Sequence, residues 1–316
     1  MAPSGSIFVL GSFVAACSVQ VDHLPGRGES LLASSFTLEA GGKGFNLAIG
    51  VRRLGGPVDG LVAVGDDLFS ALAARALADA ELPDHMLVRR PGPSGAGVGF
   101  IDAEGENCLA VFAGANTSLS AGDVDDAAAR LAQARVVLAQ FEIGDAPIAA
   151  AFARARRAGA LTVLNPSPYR AISDTLLSAT RLIVANEVEA TRLAGELGLA
   201  VGDDDFAALG ARLIARGLEA LIVTLGARGA VAFTAAGEIL RQPGFAIDAI
   251  DTLGCGDAFT AGLAHALWSG LDLAEGLRRA AACGALTAQR RGVLDALPTV
   301  EALAAFLEPR SPPVRP

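Results

Sequence analysis

Short, almost wholly apolar segments alternate with helical patterns along most of this chain. Three of the apolar segments are SIFVLG at 6–11, RVVLAQFE at 135–142 and ALIVTLG at 220–226, and stretches rich in Ala, Arg and Leu separate them. Strands that lack polar alternation are buried on both faces, which is typical of a parallel sheet covered by helices. The sequence therefore predicts an α/β fold, a three-layer α/β/α sandwich around a mostly parallel central sheet.

Two segments, residues 14–40 and 94–113, depart from this rhythm. Both alternate apolar and polar residues without a helical pattern, and the second is predicted to fold as a hairpin that turns at 102–107. We expect them to form a small antiparallel β lid near the carboxyl ends of the main strands, where ligands bind in open sheets. With this lid, residues 1–316 are predicted to form a single domain.

Charge and composition exclude several classes of protein. The formal net charge is −9, so the chain gains no counterion-release energy on a phosphate backbone, and we expect no nucleic-acid partner. No run of 18 apolar residues occurs, so no membrane partner is expected. The four cysteines are widely spaced and only three histidines are present, which disfavours a zinc site. Free thiols suit a reducing compartment, and a cytoplasmic location is expected.

The segment DTLGCGDAF at 251–259 places an acid directly after a glycine turn, at the start of a predicted helix. Backbone N–H groups of Gly254, Cys255, Gly256 and Asp257 can approach an anion there, and the helix dipole favours negative charge. Asp257 would then lie within reach of an attacking hydroxyl. An ordinary helix-capping Asp explains these residues equally well. No G-K-[ST] follows, so this is not a Walker A loop, and the absence of G-x-G-x-x-G disfavours a dinucleotide oxidoreductase.

A second glycine-rich turn, GGKGFNLA at 41–48, also precedes a predicted helix. It can present backbone donors of Gly42, the cation of Lys43 and the amide of Asn46 to a polyhydroxylated ligand. Alone it is weak evidence, because a capping turn has the same composition.

Several short motifs occur together in an order that resembles the ribokinases of the PfkB carbohydrate kinase family. They are GGKGFN near 41–46, GEN and AGAN within 105–116, QFE at 140–142, LNPSP at 164–168, NEVEA at 186–190, TLGARG at 224–229 and DTLGCGDAF at 251–259. The resemblance covers nearly the whole chain and implies a ribokinase-like fold. It also implies transfer of the γ-phosphate of ATP to a primary sugar hydroxyl, with Mg²⁺ and a monovalent cation such as K⁺ as cofactors.

The resemblance assigns roles residue by residue. Asp257 matches the catalytic base, and Gly254, Cys255 and Gly256 match the anion hole. The positions that match the nucleotide site are Asn186, Glu189, Thr224, Gly226 and Gly229, with Glu189 organising Mg²⁺ mainly through water. The positions that match the sugar site are Gly42, Lys43, Asn46 and Glu142, together with Asp257. The monovalent cation loop would include Asp251, the carbonyl of Leu253, and Thr287, Arg290 and Gly292.

The sugar side departs from the ribokinase pattern. Val14 and Ala16 occupy positions where a ribokinase carries Asn and Asp that hydrogen-bond ribose, so strong preference for ribose is not expected. Asp22 and His23 are near in sequence, and whether they compensate is open. The expected substrate is a small sugar that is ribose-like, deoxy or otherwise modified, and the replacement by apolar residues favours a deoxy sugar, a modified sugar or a nucleoside. A nucleoside kinase of the same fold and a catalytically idle sugar-binding regulatory protein are the alternatives.

Two further expectations follow. Cys255 stands where the family more often has Ala, and a small apolar role is favoured over a redox switch. The lid strands are expected to pair between two subunits as in ribokinases, because an isolated small sheet would leave an apolar face in water. A homodimer is therefore predicted.

Overall fold

The structure is a computed structural model that describes residues 4–104, 106–202 and 205–308. Its strands are β1 (Ser6–Gly11), β2 (Val14–Gln20), β3 (Ser35–Gly41), β4 (Val58–Val64), β5 (Leu87–Arg89), β6 (Ala96–Ile101), β7 (Asn107–Phe112), β8 (Ala134–Gln140), β9 (Leu161–Asn165), β10 (Leu182–Asn186), β11 (Ala220–Thr224), β12 (Gly229–Thr234) and β13 (Ile239–Pro243). Its α-helices are α1 (Lys43–Arg53), α2 (Leu68–Asp79), α3 (Ala121–Asp126), α4 (Ala128–Leu131), α5 (Asp145–Arg157), α6 (Asp174–Ala179), α7 (Glu187–Glu196), α8 (Ala207–Ile214), α9 (Cys255–Trp268), α10 (Leu273–Ala288) and α11 (Val300–Leu307). Over these ranges, no helix combines the length and the apolarity that crossing a bilayer requires.

The larger sheet is built around β1. In the described part of the chain its nine strands lie in the order β13-β12-β11-β10-β9-β8-β1-β4-β5. Neighbouring strands from β11 to β5 are parallel, whereas β12 and β13 pair antiparallel at one edge. The predicted mostly parallel sheet is therefore confirmed. The chain order switches beside β1, and such a switch point leaves a crevice at the carboxyl ends of the strands.

Alternate residues of β1 enter the two helical layers. Ile7 and Val9 pack in one apolar cluster with α1, α9 and α10, while Phe8 and Leu10 pack in the other with α5, α7 and α8. All four side chains are 0 % exposed. Burying a side chain of this size stabilises the fold by about 1.5–3 kcal/mol, so the strand is held firmly between the layers. Its carboxyl end is thereby fixed at the crevice.

The second sheet is the predicted lid, with strand order β3-β2-β6-β7. Its two outer pairs are antiparallel, as expected, but the central pair of β2 and β6 is parallel. The reason is connectivity. Strands β1 and β5 are both parallel members of the main sheet, and β2 and β6 follow them from the same edge. Both lid strands therefore leave the main sheet in the same direction.

The register gives the lid two distinct faces. On the outer lid face, Ala15 and Ala40 are buried in the core near α2, and further out large apolar side chains are exposed. These are Phe36 (63 % exposed), Leu38 (42 %), Val98 (46 %) and Phe112 (57 %). The inner lid face is the opposite one, and the register assigns to it Val14, Ala16, Ser18, Thr37, Glu39, Gly97, Gly99, Leu109 and Val111. Because the outer face packs on the core at its root, the inner face is turned toward the crevice.

Candidate active site

Polar side chains end the central strands of the main sheet. Gln140 at the end of β8 is in register with Asn165 at the end of β9, and Asn186 at the end of β10 is in register with Thr224 at the end of β11. Ser12 follows β1 directly. Because the carboxyl ends of parallel strands meet at one edge, these residues line one crevice beneath the lid.

Asp257 is buried at the start of α9, in the middle of this crevice. The residue is only 4 % exposed, and its carboxylate accepts a hydrogen bond of 2.7 Å from Nδ2 of Asn46 and lies 3.6 Å from Nζ of Lys43. Gly254 caps the helix with a left-handed φ of 77°, and a Cβ there would come within 2.8 Å of Val293. The predicted base is thus placed by a glycine turn that tolerates no larger residue.

Both partners of Asp257 come from the first turns of α1, which lies very close to the end of β1. A Cβ on Gly44 would stand 2.0 Å from Cα of Gly11, so only glycine allows this approach. The close packing of α1 against β1 fixes the positions of Lys43 and Asn46. The Oδ1 atom of Asn46 is buried and accepts no hydrogen bond from the residues that the structure describes. A ligand hydroxyl can satisfy this acceptor.

Glu142 also lies near Lys43 and takes part in a network of hydrogen bonds. Its Oε2 accepts hydrogen bonds from Oγ of Ser12 at 2.5 Å and from the backbone N–H of Lys43 at 2.9 Å. The Ser12 hydroxyl in turn accepts from Nε2 of Gln140 at 2.8 Å and from the N–H of Gly44 at 3.2 Å. Ser12 and Gln140 carry no predicted role, although both stand at strand ends beside motif residues.

Lys43 is surrounded by negative charge. Burial, the largest single influence, lowers the pKa of its ammonium group, but the combined charges of Asp257, Glu142 and Glu189 raise that pKa above its usual range. Lys43 therefore stays protonated at neutral pH. Its ammonium is thus influenced by carboxylates predicted for the sugar side and by one predicted for the nucleotide side.

The predicted nucleotide residues gather at the carboxyl ends of β10 and β11. Asn186 caps α7 by accepting the N–H of Glu189 at 2.9 Å, and Glu189 returns the bond by accepting the N–H of Asn186 at 2.9 Å. Glu189 is 6 % exposed. Gly226 and Gly229 lie in the turn after Thr224, and a Cβ on Gly229 would approach a backbone oxygen to 2.0 Å. One carboxylate with an oxygen to spare suits hydrated Mg²⁺, which takes few direct protein ligands.

The predicted cation loop is brought together only in part. One oxygen of Asp251 accepts the N–H of Leu253 at 2.9 Å and the other accepts the N–H of Gly292 at 3.3 Å, so these three residues meet. The Thr287 hydroxyl is buried and donates to a carbonyl of its own helix, and the side chain of Arg290 is exposed. The described residues hold no cluster of three or more His, Cys, Asp or Glu arranged for a metal ion. The oxygen donors that this loop could offer a hard cation are the Asp251 carboxylate and backbone carbonyls.

Cys255 follows the glycine cap and contributes backbone to the predicted anion hole. Its N–H is 3.3 Å from the carbonyl of Thr252, whereas the N–H groups of Gly256 and Asp257 belong to the first helical turn, which lacks intrahelical acceptors. Burial, followed by the charges of Asp251 and Asp257, raises the pKa of the Cys255 thiol to about 11. A protonated thiol is a poor nucleophile, which agrees with the predicted role of Cys255 as a small apolar residue.

A buried carboxylate beside the first-turn N–H groups of a helix, beneath a lid, has the groups needed to accept a hydroxyl proton and to stabilise a transferring phosphoryl group. Comparison with known proteins shows the family to which the chain belongs. Residues 4–300 match the family described as pfkB family carbohydrate kinase, and the chain belongs to this family. It is therefore a carbohydrate kinase, a phosphotransferase with an alcohol group as acceptor.

Individual relatives extend over nearly the whole chain. It is 31 % identical over 306 residues to the ribokinase of Haemophilus influenzae, covering 96 % of this chain and 98 % of that protein. It is 30 % identical over 304 residues to the deoxyribokinase of Salmonella typhi, covering 95 % of this chain and 98 % of that protein. The structure of Arabidopsis thaliana ribokinase complexed with ribose and ATP is similar with a TM-score of 0.88 at 28 % identity, covering 98 % of this chain and 99 % of that one.

Proposed function

We propose that this chain, acting as a single kinase domain, transfers the γ-phosphate of ATP to a primary hydroxyl of a small sugar. The observation that carries the proposal is the buried Asp257, held between Asn46 and Lys43 at the start of α9. A carboxylate in this place accepts the hydroxyl proton as the sugar oxygen bonds to phosphorus. The bond from phosphorus to the bridging oxygen breaks, and ADP leaves with that electron pair.

The neighbouring residues support this step. The first-turn N–H groups of Gly256 and Asp257 and the ammonium of Lys43 stabilise negative charge on the transferring phosphoryl group. Glu189 would hold Mg²⁺ through water, and the ion would supply charge neutralisation on the phosphates. The loop of Asp251 would hold K⁺ and fix the backbone that leads into α9. Dependence on ATP agrees with a cytoplasmic location.

The sugar is proposed to be deoxy or otherwise modified rather than ribose. Val14, which is 8 % exposed, and Ala16 offer a hydroxyl no hydrogen bond, and Leu109 and Val111 add apolar surface to the inner lid face. The same apolar surface favours a nucleoside as the second candidate, because a base can pack on it. An idle regulatory protein would have no need of the ordered contacts of Asp257.

A homodimer through the lid is also proposed. The exposed Phe36, Val98 and Phe112 on the outer lid face form an apolar surface that a second copy would cover. Sedimentation at micromolar concentration should show a dimer, and substitution Phe36→Asp should shift it to monomer. A wild-type chain that sediments only as monomer would contradict this.

The proposed function is tested by offering purified protein ATP with pentoses, deoxy sugars, hexoses and nucleosides, and measuring ADP release. We expect one sugar class to give turnover well above the background of ATP alone, with Mg²⁺ required. Preference for nucleosides over all free sugars would replace the leading proposal by the second candidate. Sugar binding without any ADP release would indicate the regulatory protein.

A further inference from the structure

Glu39 is the carboxylate nearest in the sheet to the position where the ribokinase pattern has lost one. In the antiparallel pairing of β2 and β3, Glu39 is directly opposite Ala16, and Gly41 is opposite Val14. A Cβ on Gly41 would lie 3.8 Å from Cβ of Ala16, which agrees with their sharing the inner lid face. Glu39 therefore stands on the same face as Ala16, beside it.

This face is the one turned toward the reacting groups. Ala15 and Ala40 on the opposite face are 0 % and 7 % exposed and pack in the core. Two residues after Glu39 the strand ends, and α1 begins with Lys43, whose ammonium contacts Asp257. An inner-face residue this close to the root of β3 is thus on the sugar side of the crevice.

The length of the Glu39 side chain allows it to replace an Asp at position 16. Opposite residues of an antiparallel pair have Cβ atoms about 4.5–5.5 Å apart, and a Glu is one methylene longer than an Asp. Ala16 has no atoms beyond Cβ, so no side chain at position 16 stands between the longer side chain of Glu39 and a ligand over Ala16. Glu39 is exposed, and within the described part of the chain it makes no hydrogen bond or ion pair. Its carboxylate is free to accept a ligand hydroxyl.

The other acids considered from the sequence do not reach this place. Asp22 and His23 follow the far end of β2, about 20 Å along an extended strand from Ala16. His23 is paired instead with Glu29, at 2.8 Å. Asp22 and His23 therefore do not replace the missing carboxylate at position 16, whereas Glu39 is a carboxylate on the inner lid face beside Ala16.

We propose that Glu39 binds a substrate hydroxyl in place of the missing carboxylate at position 16, and that the substrate is a deoxy sugar with no hydroxyl toward Val14. This inference rests on the proposed sugar kinase function and narrows its substrate. An ionised carboxylate only accepts hydrogen bonds, so it selects a hydroxyl, whereas Val14 offers only apolar contact. Moving the carboxylate by one strand would alter which hydroxyls the site accepts.

The test uses 2-deoxy-D-ribose as the probe, with D-ribose alongside, and the variants Glu39→Ala, Glu39→Gln and the double variant Glu39→Ala/Ala16→Asp. A charge-assisted hydrogen bond predicts that Glu39→Ala lowers kcat/KM for the sugar by about 10- to 150-fold while KM for ATP stays unchanged. The kcat/KM of Glu39→Gln for the sugar should lie between those of wild type and Glu39→Ala. The double variant should recover at least about tenfold, which a merely structural role of Glu39 would not allow. Glu106→Ala, a loss of the same charge at the exposed lid turn, is the matched control.

Direct binding keeps this test separate from the test of kinase activity. The probe is titrated calorimetrically into wild type and variants in the presence of a non-hydrolysable ATP analogue. Weaker binding in Glu39→Ala supports the proposal even if no turnover is seen, an outcome that would count only against the proposed function. Binding and kcat/KM in Glu39→Ala equal to those of wild type, or no binding of the probe to wild type, would overturn it.

Discussion

Substitution Asp257→Asn removes the proposed base with little change of shape. The new amide oxygen can still accept the N–H of Asn46, which now stands 2.7 Å from the carboxylate, while Lys43 keeps the charges of Glu142 and Glu189 nearby. We therefore expect a folded protein. General-base catalysis is worth about 10²- to 10⁴-fold, so kcat should fall by that factor, equivalent to about 2.7–5.5 kcal/mol of transition-state stabilisation.

The assay is ADP release with the best sugar of the substrate panel, read as kcat and as KM for each substrate. Nucleotide affinity should stay within about threefold of wild type, because its predicted contacts lie on β10, β11 and α7. Asp248→Asn, an exposed change of the same kind just before the glycine turn, should leave turnover unaffected. If Asp257→Asn keeps kcat within about threefold of wild type, the carboxylate is not the base and the reasoning fails.

Three further outcomes follow from the structure. Gly44→Ala forces a Cβ to within 2.0 Å of the backbone at the end of β1, so denaturant unfolding should show a loss of more than about 2 kcal/mol, whereas Gly195→Ala, in open space within a helix, should gain about 0.5–1 kcal/mol. Burial lowers the pKa of His265 to about 4 from 6.5, so the folded state binds protons less readily and stability is lost as pH falls from 6.5 toward 4. His265→Gln should remove up to about 3 kcal/mol of that pH dependence, and an unchanged pH profile of the unfolding free energy would contradict the buried neutral imidazole. Cys255, with a raised pKa, should react with iodoacetamide at pH 7.5 far more slowly than the exposed Cys108, and equal labelling by mass spectrometry would refute this.

The sequence could predict the main sheet because buried parallel strands are apolar on both faces. It did not predict the hairpin of β12 and β13, since β13 is a five-residue edge strand that has no buried residue and ends in a proline. The parallel pairing inside the lid was also missed. Pairing depends on where each strand leaves the main sheet, and no local pattern records this.

The site was predictable only where a motif carried it. Glycine-rich turns predict Asp257, Lys43 and Asn46 as site residues, and the structure brings Asn46 and Asp257 together across 211 residues of chain. Ser12 and Gln140 were not assigned roles, because their shared hydrogen bonds to each other and to Glu142 span 128 and 130 residues. Glu39 was invisible for a different reason. Its neighbour Ala16 is defined by strand register, which a sequence does not state.

The lid is connected by short segments to β1 and α1, which carry residues of the candidate site. Its first strand leaves β1 after only Ser12 and Phe13, and its second runs into α1 through Gly42. The backbone of Phe13 is clamped on both sides by Asn116, through bonds of 2.9 and 2.7 Å. Because the backbone at Phe13 is fixed, a tilt of the lid would be transmitted to the start of α1, where Lys43 lies. If the proposed sugar draws the lid down, the same movement would position the Lys43 ammonium, and a water molecule, too small to contact the lid, would be a poor competing acceptor for the phosphate.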